Sequence, residues 1–401
     1  MTKPTDNTHS NTSARDQFIA VSPYWTGITQ AKVALGIAGH TVLHAGPPFS
    51  KGEQTKPIRN SAACAAVFEG WAESIESAFS LIDAGDIQFE PAQDHGCVVP
   101  LAAVVTPSMQ LLTVTNAARP EKVCYAPLNG GNGPAPRLGQ ASTEAIAHLH
   151  WLNETLAGVL SDILETGPIN LIEIADHGLA CGDDCHGATG ASSAKLREYL
   201  FGEADYLPAD VVRFLEGSPS FFLNLWMAAT KLMITAPLGC KDSSFITAAG
   251  SNGNMFGIQV AGMPGHWFTC FATVPLGLIE KPFYTITPLG AIGDSAIIDI
   301  MGLGAMVADR SPAQWAALEA YLSCAPETLR ALLKLIPHPA FTRTQPALGL
   351  CASSVAKAGL SPTVALGVLD KDGKAGRIGG GVYVPIVTPF LEATNALSEG
   401  L

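Results

Sequence analysis

The chain has 401 residues and a formal net charge of −12, with 47% hydrophobic but only 14% charged residues. An acidic chain without a run of Lys and Arg excludes a nucleic-acid-binding protein, and this length predicts more than one domain. Because an average soluble domain is about 25% charged, the low charge predicts that much surface is buried in a homo-oligomer or a larger complex.

The cysteine pattern and the termini predict a cytoplasmic protein with reduced thiols. The nine Cys are odd in number and scattered along the chain. The first residues contain neither the basic segment nor the apolar segment that a signal peptide requires. The longest apolar segment, 221–240, is interrupted by Asn224, Lys231 and Pro237. It therefore predicts a buried helix rather than a membrane span.

In chain order, the polar residues 1–17 predict a disordered tail, and residues 18–140 an N-terminal α/β domain. Within this domain an apolar run from Lys32 ends at a Gly-Pro-Pro turn, and residues 61–82 have helical spacing. Residues 97–105 and 111–114 are rich in β-forming residues, and a Gly-rich loop follows at 129–139.

Residues 141–310 predict a central α/β domain that carries the functional site. It has a helix at 142–164, a strand at 170–174, helices at 192–201, 210–215 and 221–234, and short strands over 245–287. Residues 311–340 predict a small helical subdomain, and residues 341–401 a C-terminal β-rich segment that packs on the central domain. The expected fold class is α+β and multidomain, with mixed α/β domains and a small helical subdomain.

The most informative segment is IADHGLACGDDCHGATG at 174–190, which places two His, two Cys and three Asp within eleven residues. One interpretation is a metal site with candidate ligands His177, Cys181, Asp183 and Cys185, although the spacing matches no structural zinc pattern. A second is a proton-transfer site in which Asp184 and His186 set a donor or acceptor near neutral pH. A third is a capped turn with solvated acids.

Three further features of the sequence carry candidate residues. GAIGDSA at 290–296 presents the backbone amides of Gly293 to Ser295 and the Ser295 hydroxyl at a helix start, which suits a carboxylate, phosphate or oxyanion. Ordinary capping by Asp294 or Ser295 explains the motif equally well, and Asp294 is kept as a candidate catalytic acid. Lys231 lies in the middle of an apolar helix, where it either needs an acid or an anionic ligand or reaches solvent. Asn252-Gly253 predicts a turn whose amide side chain suits an amide substrate.

Seven motifs, taken together and in order, resemble those of the YlbE-like family. They are VLHAGPP at 42–48, FEGWA at 68–72, TPSM at 106–109, GDDCH at 182–186, FFLNLWMAATK at 221–231, FGI at 256–258 and IGDSAI at 292–297. The resemblance implies a multidomain α and β fold and a role beside an FdrA-like protein and another small partner. That complex resembles oxamate carbamoyltransferase, the enzyme of the last step of anaerobic allantoin breakdown. Within it, this chain resembles the AllG-type subunit.

The chain departs from the family at two places. It has GDDCHGAT where the family has GDECHNRN, and Ser251 stands where the family has an arginine. An arginine would bind a carboxylate or phosphate with two hydrogen bonds, so its absence weakens the assignment of oxamate or carbamoyl phosphate as the substrate.

These observations predict an enzyme or catalytic subunit that acts on a carbamoyl or amide group of a small ureide-like molecule, without a cofactor. Asp184, His186 and Asp294 are the expected catalytic residues. The expected substrate-binding residues are His44, Gly46, His95, Lys231, Asn252, Gly253, Gly293 and Ser295. The alternatives are a metal-dependent amidohydrolase that uses residues 177–186 and a noncatalytic subunit of an FdrA-like complex.

Overall fold

The structure is a computed structural model, and it describes residues 8–131, 133–204 and 206–399. The helices are α1 (Thr8–Ile19), α2 (Ala31–Leu35), α3 (Lys56–Phe68), α4 (Ile75–Ala84), α5 (Thr143–Trp151), α6 (Ala157–Leu164), α7 (Leu171–Ala180), α8 (Gly190–Glu203), α9 (Ala209–Glu216), α10 (Phe221–Thr235), α11 (Ala296–Met301), α12 (Pro312–Leu318), α13 (Pro326–Leu332), α14 (Ala352–Ala358) and α15 (Thr388–Glu399). A short π-helical segment, Leu152–Leu156, joins α5 to α6.

The strands are β1 (Pro23–Gln30), β2 (Thr41–His44), β3 (Gln88–Pro91), β4 (Gln110–Asn116), β5 (Arg119–Pro127), β6 (Ile169–Asn170), β7 (Ile246–Asn252), β8 (Met255–Val260), β9 (Met263–Phe271), β10 (Leu276–Ile279), β11 (Ile292–Gly293), β12 (Ile336–Pro337), β13 (Ala347–Leu348), β14 (Val364–Leu369) and β15 (Arg377–Tyr383). They form sheets of order β5-β4-β1-β6, β11-β7-β8-β9 and β10-β15-β14, and two small pairs, β12-β13 and β2-β3. The predicted mixed α+β multidomain fold class is confirmed.

The buried helix α10 holds the centre of the molecule together. It packs against β4 and β5 of one sheet and against β7 and α11 on the other side. A helix with neighbours on both sides needs apolar residues all round, which is why the sequence FFLNLWMAATKLMIT shows no polar face. No helix within the described ranges is long and apolar enough to cross a membrane.

One cluster of buried hydrophobic residues extends from Ala14 in α1 to Leu397 in α15. This core crosses positions 140, 310 and 340, so the predicted domain units share packed surfaces. The division of the chain into those domains stays a prediction.

Several predictions for individual elements are wrong. Residues 8–17, expected to belong to a disordered tail, lie in α1, where Ala14 and Phe18 are fully buried. Of residues 170–174, expected to form a strand, only Asn170 lies in one, as the last residue of β6. Helix α7 begins at Leu171, because the Asn170 side chain accepts hydrogen bonds from the amides of Ile172 and Glu173 and so caps a helix. A short apolar run does not distinguish a strand from a buried helix by its pattern.

The β-rich run 97–105 does not form a strand either. Among the described strands it contributes only isolated bridges, Leu43 with Val105 and Cys97 with Tyr125. Pro100 lacks an amide for a ladder, and Leu101 has a left-handed φ of 48°, so the chain turns there. This irregular segment brings Val99 to the buried site described below.

The packing of α1 generates a stability prediction. The ring of Phe18 lies 5.4 Å from the rings of both Phe245 and His338. Phe18→Ala should therefore lower the free energy of unfolding by about 3–5 kcal/mol, as for other buried phenylalanines. Urea denaturation followed by circular dichroism measures the change, and Val33→Ala at the exposed Val33 is the control with less than about 0.5 kcal/mol. An unaffected Phe18→Ala variant would show that α1 is not docked.

Candidate functional site

A histidine–aspartate pair forms the first part of the candidate site. His186 Nδ1 lies 2.6 Å from Asp299 Oδ2, and both side chains are buried. The other oxygen, Asp299 Oδ1, accepts hydrogen bonds from the amides of Ala305 at 2.7 Å and Ala365 at 3.0 Å. Because three donors fix the carboxylate, the imidazole ring is fixed as well. Its Nε2 makes no hydrogen bond to any residue that the structure describes.

The electrostatics of this pair favour the protonated imidazole. Burial by itself lowers the pKa of His186, but the charge and hydrogen bond of Asp299 outweigh it, with a further contribution from Asp184, so the pKa is raised. A histidine oriented by a carboxylate is the usual arrangement for proton transfer in enzymes.

Asp184 organises the loop that carries His186. Its Oδ1 accepts hydrogen bonds from the amides of His186 and Ala188, both at 2.8 Å. Its Oδ2 is buried and has no hydrogen-bond partner among the described residues. Burial raises the pKa of Asp184 to about 6, against the lowering effect of the two amides. The unpartnered Oδ2 is the natural position for the proton of the neutral acid.

The loop conformation explains how two adjacent side chains enter the core. Cys185 has a left-handed φ of 63°, which an L residue rarely adopts. As a result Cys185 points toward α7, with its Sγ 3.6 Å from the carbonyl of Ala175, while His186 reaches Asp299. Two adjacent side chains therefore both point inward, in different directions.

The second part of the site is a buried network around Asp294. Asp294 Oδ1 accepts from the Gly46 amide at 2.9 Å and from Gln93 Nε2 at 2.7 Å, and Oδ2 accepts from the Val99 amide at 3.0 Å. Gln93 Oε1 in turn accepts from Lys231 Nζ at 3.2 Å, so the glutamine bridges the acid and the lysine.

Both charged ends of this network are shifted toward neutrality. Burial raises the pKa of Asp294 to about 7, opposed by its three donors and Lys231. Burial also lowers the pKa of Lys231, whose Nζ additionally donates to the carbonyl of Thr247 at 3.0 Å. Lys231 is thus buried and does not reach solvent, and its third N–H is not used in these two bonds.

Two glycines allow the backbone to approach Asp294. Gly46 has φ 76°, and a Cβ there would lie 2.4 Å from the carbonyl carbon of Ser251. A Cβ on Gly250 would lie 2.5 Å from Asp294 Oδ1. Only glycine fits at either position, so the loop after β2 and strand β7 are matched to this carboxylate.

The two parts are joined by α11. Asp294 lies just before this helix and Asp299 within it. Five positions separate the two acids in sequence, so one short helix and the turn before it carry both carboxylates. The 182–186 loop therefore contacts the helix that follows the 293–295 turn, at Asp299.

The other expected substrate-binding residues have structural partners. Asn252 Nδ2 donates to the carbonyl of Pro47, and its Oδ1 accepts from the amides of Asn254 and Met255. Gly253 and Gly293 have φ of 91° and 119° and shape the turns between β7 and β8 and before α11. Ser295 is buried and is the residue before α11.

The two remaining histidines differ in environment. His44 is fully buried and its Nδ1 is 2.8 Å from the carbonyl of Ala45, while its Nε2 has no partner within residues 8–131, 133–204 and 206–399. Burial lowers the pKa of His44 to about 4. His95 is partly exposed and pairs with Glu90 at 2.7 Å, away from the Asp294 network that its neighbour Gln93 joins.

The candidate metal ligands diverge. Cys185 points into the core, and Asp183 caps α8 through the Ser192 amide and hydroxyl. His177 Nε2 and the exposed Cys181 Sγ lie 3.7 Å apart at the end of α7. Across the described ranges no three His, Cys, Asp or Glu side chains converge to hold a metal ion.

Sequence reasoning missed Asp299 and Gln93. Asp299 lies in the apolar sequence AIIDIM, where an isolated acid among hydrophobic residues signals a buried carboxylate that needs a partner. Gln93 lies in a short 3-10 turn, Ala92–His95, and its sequence carries no comparable signal.

Comparisons with known proteins were consistent with one another. Residues 87–295 match the family described as oxamate carbamoyltransferase subunit AllG. The chain is 30% identical, over 98% of its length and 98% of the relative, to oxamate carbamoyltransferase subunit AllG of Escherichia coli K12. It is 28% identical, over 96% of its length and 84% of the relative, to the uncharacterized protein YahG of the same organism. A crystal structure of a conserved protein of unknown function from Enterococcus faecalis V583 superposes with a TM-score of 0.90 at 25% identity, covering 98% of this chain and 97% of that one.

The protonation of Asp184 generates a prediction of pH-dependent stability. Its folded pKa, about 6, is above the unfolded value near 3.8, so the folded state holds the proton more tightly. The contribution of Asp184 to the free energy of unfolding is thus complete below about pH 4. It falls by on the order of 1–3 kcal/mol as the pH rises from about 4 to 6. Asp184→Asn mimics the neutral acid and should have a flatter profile of unfolding free energy over this range.

Urea denaturation between pH 4.5 and 7.5 compares the two proteins. Asp184→Ala is the control, since it leaves the amides of His186 and Ala188 unpaired and should be less stable at every pH. Parallel profiles for the wild type and Asp184→Asn would contradict a raised pKa at this residue.

Proposed function

The chain belongs to the family of oxamate carbamoyltransferase subunit AllG, and from this we propose that it is the subunit of a carbamoyl-transferring complex that performs proton transfer. The His186–Asp299 pair moves the proton at a carbamoyl or amide group of a small ureide-like substrate. The observation that carries this proposal is the 2.6 Å hydrogen bond that orients the imidazole and leaves Nε2 free.

The protonated imidazole acts first as an acid. Asp299 holds Nδ1–H and stabilises the positive ring, so Nε2–H is the proton that reaches the substrate. When carbamoyl transfer develops negative charge on an oxygen or nitrogen, Nε2–H donates to that atom, and in the reverse step Nε2 accepts the proton. Asp184 supports this step by fixing the His186 backbone.

Lys231 supplies positive charge in the neighbouring network. Its third N–H is directed to the negative charge of the substrate, whereas Gln93 and the Thr247 carbonyl fix the ammonium group. Asp294 accepts three hydrogen bonds from the protein, so it acts as a positioning residue that holds Gln93, Gly46 and Val99 in place. The turn at Gly293 to Ser295 is the candidate for stabilising an oxyanion.

The protein works with partner subunits in the cytoplasm. The name of the AllG relative describes a subunit, and the resemblance of the motifs to the YlbE-like family suggests an FdrA-like partner. The nine cysteines are free, which fits a reducing compartment.

A second candidate function is that of a noncatalytic subunit. It is favoured by the complete burial of Asp184, Asp294 and Asp299, which are bonded to backbone amides of several segments. In that case the polar networks maintain the fold, and the partner subunits carry out the chemistry. Variants that separate folding from turnover distinguish the two functions.

The first such variant is His186→Gln, tested in the complex assembled with its partner subunits. If His186 transfers the proton, turnover between carbamoyl phosphate and oxamate should fall roughly 100-fold or more. Assembly and the circular dichroism spectrum should not change. Asp299→Asn should also lower turnover and shift the pH profile, because it removes the charge that raises the pKa of His186. Full activity of both variants in a normally assembled complex would favour the noncatalytic function.

The second variant is Lys231→Met, which removes the charge but keeps the length of the side chain. An interaction already made with the bound substrate is lost, so KM should rise while kcat changes little. Steady-state kinetics of the assembled complex measure both constants, and thermal unfolding controls for the fold. A lower kcat at an unchanged KM would contradict a role in binding.

A further inference from the structure

An apolar patch surrounds strand β10 at the edge of the β10-β15-β14 sheet. We propose that β10 and this patch form the surface through which a second copy of the chain pairs with the first, by antiparallel pairing of the two β10 edges. The exposed large hydrophobic side chains of the patch are Phe271, Val274, Leu276, Leu278, Tyr284, Val384, Ile386 and Leu391.

The patch is exposed because α12 covers β14 and β15 on one face of the sheet but does not cover β10. Ala365 of β14, Val382 of β15 and Leu276 of β10 lie opposite one another across the three strands. Ala365 and Val382 are buried in a cluster with Leu318 of α12, whereas Leu276 is 63% exposed. Leu278, which points to the same face two residues later, is also 63% exposed.

The patch continues beyond the sheet. Phe271, at the end of β9, is 81% exposed, and its neighbour Cys270 hydrogen-bonds Tyr383 and the backbone of Ile386. The ends of β9 and β15 are therefore adjacent, and the exposed side chains on both belong to one surface.

The outer edge of β10 has free backbone groups. In the part of the chain that the structure describes, β10 pairs only with β15. The Glu280 amide donates to the Ile378 carbonyl, so Leu278 and Leu276 in the same ladder bond toward β15. By the alternation of an antiparallel ladder, the amides and carbonyls of Gly277 and Ile279 point outward.

The area and charge of the surface fit a dimer. Its eight exposed side chains present on the order of 800 Å² of apolar surface, which exceeds the patch of a typical monomer and matches one partner's share of a standard interface. In the two segments that carry the exposed side chains, 263–293 and 378–391, only Glu280 and Lys281 are charged. The surface therefore carries almost no charge that a partner of opposite sign would neutralise, and it is complementary to itself.

A twofold axis through Leu278 would pair the outward amides and carbonyls of Gly277 and Ile279 with those of a second copy. It places Leu278 opposite Leu278 of the partner subunit and pairs Gly277 with Ile279 of the partner subunit, so each outward amide meets an outward carbonyl. The apolar side chains beside the strand then cover one another. Since β10 has only four residues, most of the stabilisation comes from the apolar area rather than from the ladder.

The test compares the wild type with Leu278→Lys, which puts two ammonium groups face to face on the axis. Light scattering at micromolar concentration should give twice the 41.7 kDa chain mass for the wild type and the single-chain mass for Leu278→Lys. Val33→Lys, at a side chain 71% exposed on α2, is the matched control and should stay dimeric.

Hydrogen exchange of the wild type gives an independent readout that needs no variant. The Gly277 and Ile279 amides should be protected at micromolar concentration and lose protection on dilution below the dissociation constant. A monomeric wild type, a dimeric Leu278→Lys variant, or a dimer whose Gly277 and Ile279 amides exchange freely would overturn the proposal. Protection that arises only after partner subunits are added would assign the surface to a different chain and overturn it as well.

Discussion

The structure depends most on the hydrogen bonds that stabilise one buried carboxylate, that of Asp294. Asp294 has no contact with solvent, and an ionised carboxyl group without partners in such a position would cost several kcal/mol. The loop after β2, the turn that holds Gln93, and the irregular segment at Val99 each provide one donor. These three segments are therefore held around the start of α11, and Gln93 extends the network to α10 through Lys231.

The same short helix connects this network to the histidine. Asp299 orients His186 with one oxygen and binds the amides of Ala305 and Ala365 with the other. Ala365 belongs to β14, so the C-terminal hairpin is fixed to the same carboxylate. A movement of α11 would thus disturb both acids at once, and this coupling makes α11 the element on which both parts of the candidate site depend.

The sequence predicted the features that depend on local composition. A lysine inside an apolar helix, a cluster of His and Asp between glycines, and Gly-Asp-Ser before a helix all identify positions where polar groups are buried. The mixed fold class and the family also followed from the motifs. The partners of these residues did not, since Gln93 and Asp294 are 201 positions apart and His186 and Asp299 are 113 apart. Such distant pairs are set by the tertiary fold, which has no local signal in one sequence.

The errors in the predicted elements have the same origin. Thr8–Ile19 is polar on average, a composition that favours an unpacked segment, yet the ring of Phe18 packs against Phe245 and His338, which lie far along the chain. Asn170 turns an apolar run into a helix through two hydrogen bonds that pattern analysis does not weigh. In both cases one side chain with a specific partner decides the local structure against the average polarity or apolar pattern of the neighbouring residues.

We propose that His186, held by Asp299, contacts the carbamoyl or amide group of the substrate. A crystal structure of the assembled complex with oxamate bound measures this contact. An oxamate nitrogen or oxygen is expected at about 2.6–3.2 Å from His186 Nε2, with Nδ1 still on Asp299. Oxamate bound elsewhere, with His186 Nε2 occupied by a protein atom in the same crystal, would contradict it.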